Sequence, residues 1–306
     1  LVSKANKSAY NLNNIIYLNN SKKLKIRKMA NAPKTAAKQE SNNGGSFFAQ
    51  AAIIICFIVG FCLWKFVMGN PANFVDGNNE NAPIPGGSLS SYLGMVYHAG
   101  AIVPVLLGLF LMVWVFSVER FIVINKASGN GNVGNFVRKI QTLINGGNID
   151  SAIAECDKQK GSVANVVKAG LLKYKSVSAD PEVNTEKAAI AIQKEIEETT
   201  ALEMPMLEKN LNVIATLVSI GTLCGLLGTV TGMIKAFSAL ATGGAPDSAK
   251  LANGISEALI NTATGIATST FAIVLYNIFT AKIDKLTYSI DEAGFSIVQT
   301  YAANHK

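Results

Sequence analysis

Four stretches of the chain are almost wholly apolar, and the polar segments between them carry apolar residues at helical spacing. Gly100 to Val118, Leu211 to Ile234 and Ala258 to Ala281 contain no charged side chain. At about 1.5 Å rise per residue each reaches roughly 28–36 Å, the thickness of a hydrocarbon core. Phe47 to Met68 is the fourth; its one charge, Lys65, lies near the end, where it can snorkel to the headgroups. The pattern predicts an all-α integral membrane protein with four transmembrane helices.

The polar part between the second and third spans also reads as helix. Val133, Phe136, Val137, Ile140 and Ile144 lie on one stripe of a short helix ended by Gly146 and Gly147. Asp150 to Lys158 reads as a second helix with Asp150 as N-cap, and Val163 to Tyr174 as a third. From Thr185 the pattern runs without a stop into the third span, which predicts one helix about 80 Å long, kinked at Pro205 close to the membrane surface. Ile283, Leu286, Ile290, Ala293, Ile297 and Tyr301 keep the three-four spacing beyond the fourth span, an apolar stripe that calls for a covering partner. Pro104 is expected to kink the second span, and Glu119 and Arg120 to form an ion pair at its inner end.

Charge sets the topology. The connection Glu119 to Glu208 carries eleven Lys and Arg, whereas Asn70 to Val96 carries none. By the positive-inside bias, the first is cytoplasmic, the second lies outside, and both termini are cytoplasmic. The boundaries are a disordered basic segment (1–45), an N-terminal span (46–69), an outer connection (70–96), the second span (97–124), a cytoplasmic helical domain (125–206), the third span (207–240), an outer turn (241–254), the fourth span (255–282) and a cytoplasmic helical tail (283–306). Met29 opens a Met-Ala-Asn-Ala-Pro segment, which suggests that 1–28 is an upstream extension of the native protein.

Composition removes several classes of function. Two histidines and four scattered cysteines offer no metal-ligand spacing, disulfide framework or His-based triad. No phosphate-binding glycine loop follows a strand, and the net charge of +7 is spread over loops without an aromatic-interleaved basic surface. No enzyme, cofactor, metal or nucleic acid is expected; the bilayer is the evident partner.

What the last two spans do contain is hydroxyls and glycines. Thr222 and Thr229 are seven residues apart, as are Thr262 and Ser269, so each pair lies on one helix stripe. Gly221-x-x-x-Gly225 and Gly228-x-x-x-Gly232 allow close helix approach. Two accounts fit these residues: a helix-packing face, or a narrow polar path lined by hydroxyls. Glu257 stands at the outer boundary of the fourth span, either capping the helix start or facing water or a bundle interior. Apart from Glu257, neither span holds a carboxylate, histidine or lysine, so a proton path here requires an acid from another chain.

Gly225-Leu-Leu-Gly-Thr-Val-Thr-Gly-Met-Ile-Lys-Ala-Phe237 and Gly254-Ile-Ser-Glu-Ala-Leu-Ile-Asn-Thr-Ala-Thr-Gly265, followed by Tyr276-Asn277, resemble the paired signatures of the MotA/TolQ/ExbB proton channel family, most closely ExbB. Phe116-Ser-Val-Glu-Arg-Phe121 also fits, and the resemblance covers about residues 95 to 300. It implies a three-helix core to which Phe47 to Met68 adds an extra span, in the bacterial inner membrane, with 70–96 and 241–254 periplasmic. It further implies a subunit, typically of a homopentamer, around an ExbD-like single-span protein that carries a titrating Asp. The complex would pass protons and transmit work through a TonB-like protein to outer-membrane transport. Matched residue by residue, Thr229 and Thr262 are the proton-path threonines, Glu257 is a channel-mouth or assembly residue, and Thr222 and Ser269 form a secondary polar stripe. A TolQ-like or motility-type motor of the same family, and a non-conducting membrane scaffold, stand as alternatives. Thr231 departs from the family pattern, which favours an aromatic or aliphatic residue there.

Overall fold

The computed structural model describes residues 43–79, 82–180, 183–241 and 247–305; the basic segment expected at 1–45 and the turn expected at 241–254 lie largely or partly outside them. Leu1–Ser46 and Phe47–Lys306 are separate units, and the second contains the membrane-length helices. The described residues form helices and short turns, with a single isolated antiparallel bridge between Phe74 and Pro83. Four helical stretches are long and apolar enough to cross a membrane: Ala49–Met68, Val103–Asn145, Thr185–Ala241 and Ser248–Asn304.

The first, α1 (Asn43–Cys62), ends in a π-helical turn, Leu63–Met68, in which Gly69 N donates to Trp64 O at 3.0 Å. The wider turn presents Trp64 to Tyr97, whose rings stack at 4.8 Å, and the Asn73 amide donates to the freed carbonyls of Val67 (2.8 Å) and Met68 (2.9 Å). Phe74, buried beneath Tyr97 and His98, completes an aromatic cap that closes onto α2 (Leu89–His98). A left-handed Gly100 then separates α2 from α3 (Val103–Ser128). Pro104 therefore stands at the start of α3, where its missing N–H costs nothing, and it does not kink a longer span.

The helical domain follows as α4 (Val133–Asn145), α5 (Ile149–Gln159) and α6 (Gly161–Ser178). Asn132 caps α4, accepting from Gly134 N at 2.8 Å, and Gly147 in a left-handed conformation follows its end. Asp150 is not an N-cap: α5 begins one residue earlier, and the Asp150 carboxylate instead pairs with Lys175 at 2.6 Å. Cys156 is buried in this domain, and burial pushes its thiol up to about 12, out of reach of nucleophilic chemistry.

The long helix expected from Thr185 to Ala241 is two helices, α7 (Thr185–Glu208) and α8 (Leu211–Ala241), separated at Asn210 with φ of 62°. Asparagine is among the few residues that adopt this conformation at low cost. A broken helix exposes carbonyls, and inside a protein those need donors. Arg120 supplies them: its side chain, 1% exposed, donates to Met206 O (3.3 Å) and Leu207 O (3.1 Å) while its Nε donates to Glu119 at 2.5 Å. The Glu119–Arg120 ion pair is present, and it is also the cap of α7.

The last helix, α9 (Ser248–Asn304), is continuous over 57 residues. Its apolar stripe from Ile283 to Tyr301 is buried by α4, α6 and α7 of this same chain, so the partner expected for it is intramolecular. The far end is fastened by Tyr301, edge-on to Tyr174 at 4.8 Å and stacked on His305 at 4.3 Å, and by the Thr185 hydroxyl donating to His305 O. In the membrane portion α8 and α9 touch backbone to backbone. A Cβ on Gly265 would lie 2.6 Å from Gly221 O and 2.7 Å from Gly225 Cα, and one on Gly232 would lie 2.7 Å from Ala258 N. Without a hydrophobic drive between helices in lipid, such close packing is what associates them.

Two outcomes follow. Arg120→Leu, which orphans both carbonyls and leaves Glu119 without its cation, should cost about 3–5 kcal/mol in thermal unfolding in detergent, whereas Asn210→Gly should change stability by less than about 1 kcal/mol. Gly265→Ala meets backbone that has no room to yield and should cost about 1–3 kcal/mol in the same assay; an unchanged melting profile would contradict the backbone contact.

Candidate functional site

Because α8 and α9 run antiparallel in close contact, polar residues on their shared edges meet in pairs. Thr229 and Thr262 are hydrogen-bonded hydroxyl to hydroxyl, and the Thr222 hydroxyl donates to Ser269 Oγ at 2.8 Å. Each hydroxyl carries one proton, so the wiring is constrained. With Thr262 donating to Ala258 O (3.0 Å), Thr229 donates to Thr262; with Thr229 donating to Gly225 O (3.3 Å), the Thr262 proton is free to turn toward Thr229. Ser269 in turn donates to Gly265 O at 3.0 Å, completing a Thr222–Ser269–carbonyl relay. Gly221 makes room for it: a Cβ there would stand 2.7 Å from Ser269 Oγ.

These four residues form one stripe at the edge of the helix pair. Thr229 and Thr262 are half-buried, Thr222 is exposed and Ser269 is buried. Beside Thr229 the outer face of α8 is apolar and shallowly concave, a cavity of about 640 Å³ lined by Leu226, Thr229, Val230, Met233 and Phe237. Thr264 and Thr268 stand apart from the stripe, each donating to the carbonyl one turn back, at 2.9 Å in both cases. Thr231 does the same toward Gly228 O at 3.1 Å.

Glu257 belongs to a different face. Five residues before Thr262, it is rotated roughly 140° around the helix. Its carboxylate is 7% exposed and accepts from Lys235 Nζ at 2.7 and 2.9 Å. It also presses on the left-handed Gly100, where a Cβ would lie 2.2 Å from its Oε1. One turn along, Asn261 is fully buried under Gly228 and donates from Nδ2 to Ala99 O at 2.9 Å, while its Oδ1 has no partner. Glu257 and Asn261 thus hold the α2–α3 corner against the α8–α9 pair.

The structure therefore brings Thr229 to Thr262 and Thr222 to Ser269, and does not bring Glu257 to either pair. Lys235, Asn261 and the Ala99–Gly100 corner were not anticipated from sequence. Lys235 falls one residue beyond the charge-free window of the third span, and an opposite charge near the matching end of an antiparallel neighbour was the available signal. Among the described residues no three His, Cys, Asp or Glu side chains lie close enough to hold a metal ion.

The model of the MotA/TolQ/ExbB proton channel family matches residues 158–292, which run from the end of α5 through most of α9 and contain all of the residues just described on α8 and α9. The chain is 32% identical over 124 residues to the Tol-Pal system protein TolQ of Pseudomonas aeruginosa, covering 40% of this chain and 54% of that one. It is 37% identical over 86 residues to the putative biopolymer transport protein ExbB-like 1 of Synechocystis, covering 27% and 34%. It is 27% identical over 146 residues to the biopolymer transport protein ExbB of Pseudomonas putida, covering 47% and 44%. The matches span about half or less of the length of these relatives. With its paired signatures on two adjacent membrane-length helices and relatives of both the ExbB and TolQ types, the chain is similar to the MotA/TolQ/ExbB proton channel family over residues 158–292.

Proposed function

We propose that this chain is a proton-channel subunit of an inner-membrane, ExbB–ExbD–TonB-type complex that couples the proton motive force to outer-membrane transport. The observation that carries the reading is the pair of cross-helix hydroxyl contacts, Thr229 with Thr262 and Thr222 with Ser269, on a half-exposed stripe in otherwise apolar helices. Inside a membrane, hydroxyls exposed at an edge have value where they meet water or a polar partner. Neither α8 between Leu211 and Ile234 nor α9 between Ala258 and Ala281 offers a carboxylate, so the titrating acid comes from another chain. An ExbD-like single-span protein bearing an Asp meets that need.

In this reading several copies of the chain, as a homopentamer, surround the partner's span and turn their Thr229–Thr262 edges inward. In either proton arrangement the hydroxyl pair keeps lone pairs that can accept from the Asp when it is neutral, and it donates to the charged Asp when one threonine turns its proton away from its own backbone carbonyl. A potential of 100 mV supplies about 2.3 kcal/mol per charge moved, enough to bias which arrangement is occupied. Glu257, neutralised by Lys235 and turned away from the stripe, acts in assembly of the chain itself. By the positive-inside bias the basic connection favours a cytoplasmic helical domain and cytoplasmic termini, with the aromatic cap of 63–98 toward the periplasm. A TonB-like protein would carry the work outward.

The 32% identity to a TolQ over 124 residues supports a second reading, a TolQ-like motor in envelope maintenance. Copurification separates them: a TonB-like protein beside the Asp-bearing chain favours transport, and its absence from an otherwise intact complex favours the TolQ-like role.

Thr262→Val keeps the shape of the α8–α9 contact and removes the shared hydroxyl. With an intact partner it should abolish energised uptake while the complex still assembles on size-exclusion chromatography. Uptake at the wild-type rate would sink the proton-path assignment and favour a passive scaffold.

A further inference from the structure

The extra span and the third span flank α3 without closing on each other. On one side, α1 crosses α3 so closely that a Cβ on Gly60 would lie 2.8 Å from Gly108 N, and one on Gly108 would lie 2.5 Å from the Phe57 ring. On the other side α8 packs along α3. Between them runs a groove of about 490 Å³, walled by Ile53 and Phe57 of α1 and by Thr216 and Cys224 of α8, with Leu109 and Met112 of α3 on its floor. Its surface is apolar except at the end toward the helical domain, where Asn212 and, one turn on, Thr216 line it.

We propose that this groove holds one acyl chain of an anionic phospholipid of the leaflet on the helical-domain side, with the headgroup at Asn212 and Lys209. Length is the first argument. From Asn212 to Cys224 the groove follows α8 for about 18 Å at helical rise, close to half of a hydrocarbon core of about 30 Å. That is the depth of one leaflet, not of a spanning helix. Volume agrees: a helix about 10–12 Å across displaces roughly 500 Å³ in each turn, so the groove has space for about one turn of a helix and not for a span. Charge is the third argument. Lys209 lies three residues before Asn212, and among the described residues neither its ammonium nor the Asn212 amide has a hydrogen-bond or ion-pair partner. The free Asn212 amide at the polar end of an apolar slot, with the free Lys209 ammonium three residues away along the chain, matches a phosphate diester with its chain inserted. The bound lipid would fill the space between the extra helix and the core, and give the extra span an attachment beyond the Gly60–Gly108 crossing.

The test is native mass spectrometry of the full chain, delipidated in mild detergent and titrated with phosphatidylglycerol or phosphatidylcholine of identical acyl chains. The wild type should bind one phosphatidylglycerol per chain about tenfold more tightly than phosphatidylcholine, the scale of one charge-assisted contact. Lys209→Gln should abolish that preference and leave phosphatidylcholine binding unchanged. Thr216→Trp fills the groove from an exposed position whose hydroxyl bonds only back to Asn212 O, so the fold is kept. It should weaken both lipids about tenfold or more, the loss of roughly two buried methylenes. Equal binding of both lipids by the wild type, or wild-type lipid binding by Thr216→Trp, overturns the proposal. Loss of self-association in Thr216→Trp with lipid binding intact would overturn it in favour of a second copy of the chain in the groove.

Discussion

The backbone contact between α8 and α9 is the constraint from which the rest of the membrane portion follows. Gly221 and Gly225 face Gly265, and Gly232 faces Ala258 and Gly254, at distances that admit no side chain. Helices this close bring short hydroxyl side chains on their edges within hydrogen-bonding reach of the opposite helix. At ordinary interaxial distances of 8–10 Å, threonine on one helix would bond only its own backbone, as Thr264 does. The glycines thus decide that Thr229 meets Thr262 and Thr222 meets Ser269.

The same contact separates two kinds of polar residue. The hydroxyl stripe stays on the open edge, whereas Glu257 and Asn261 turn toward α3 and close on Ala99 and Gly100. A carboxylate inside a membrane protein invites a proton-carrying role, yet here its charge is already matched by Lys235 and its position is taken up by backbone. Stability and the proposed proton path are assigned to different faces of one helix. At the other end of the spans, Arg120 does a comparable service, satisfying the carbonyls that the break at Asn210 would otherwise strand.

Much of this was legible in the sequence, and the misses have physical reasons. Spans were visible because lipid-facing helices exclude charge, and α4 and α6 because their burial follows the 3.6-residue period. The seven-residue spacing of the threonines and serine showed which hydroxyls share a stripe, and the glycines showed that another helix comes close. The α7–α8 break was not legible: Lys209-Asn210 contains neither glycine nor proline, and the residue that sustains the break, Arg120, lies more than eighty positions earlier in the chain. Pro205 is the stronger break signal in the sequence, yet the helix continues past it to Glu208. The partner of the Ile283–Tyr301 stripe was a matter of tertiary packing; periodicity shows that a stripe needs cover and not what covers it. Lys235 and Glu257 meet only once the antiparallel register is known.

The central claim is that Thr229 and Thr262 act as one hydroxyl unit facing an acid on a partner chain. The most direct measurement is proton flux through the purified complex in liposomes under an imposed potential, for Thr229→Val, Thr262→Val and the double variant. A single unit predicts that the double variant conducts no worse than either single one. Effects that multiply, or flux unchanged in all three, would contradict the account.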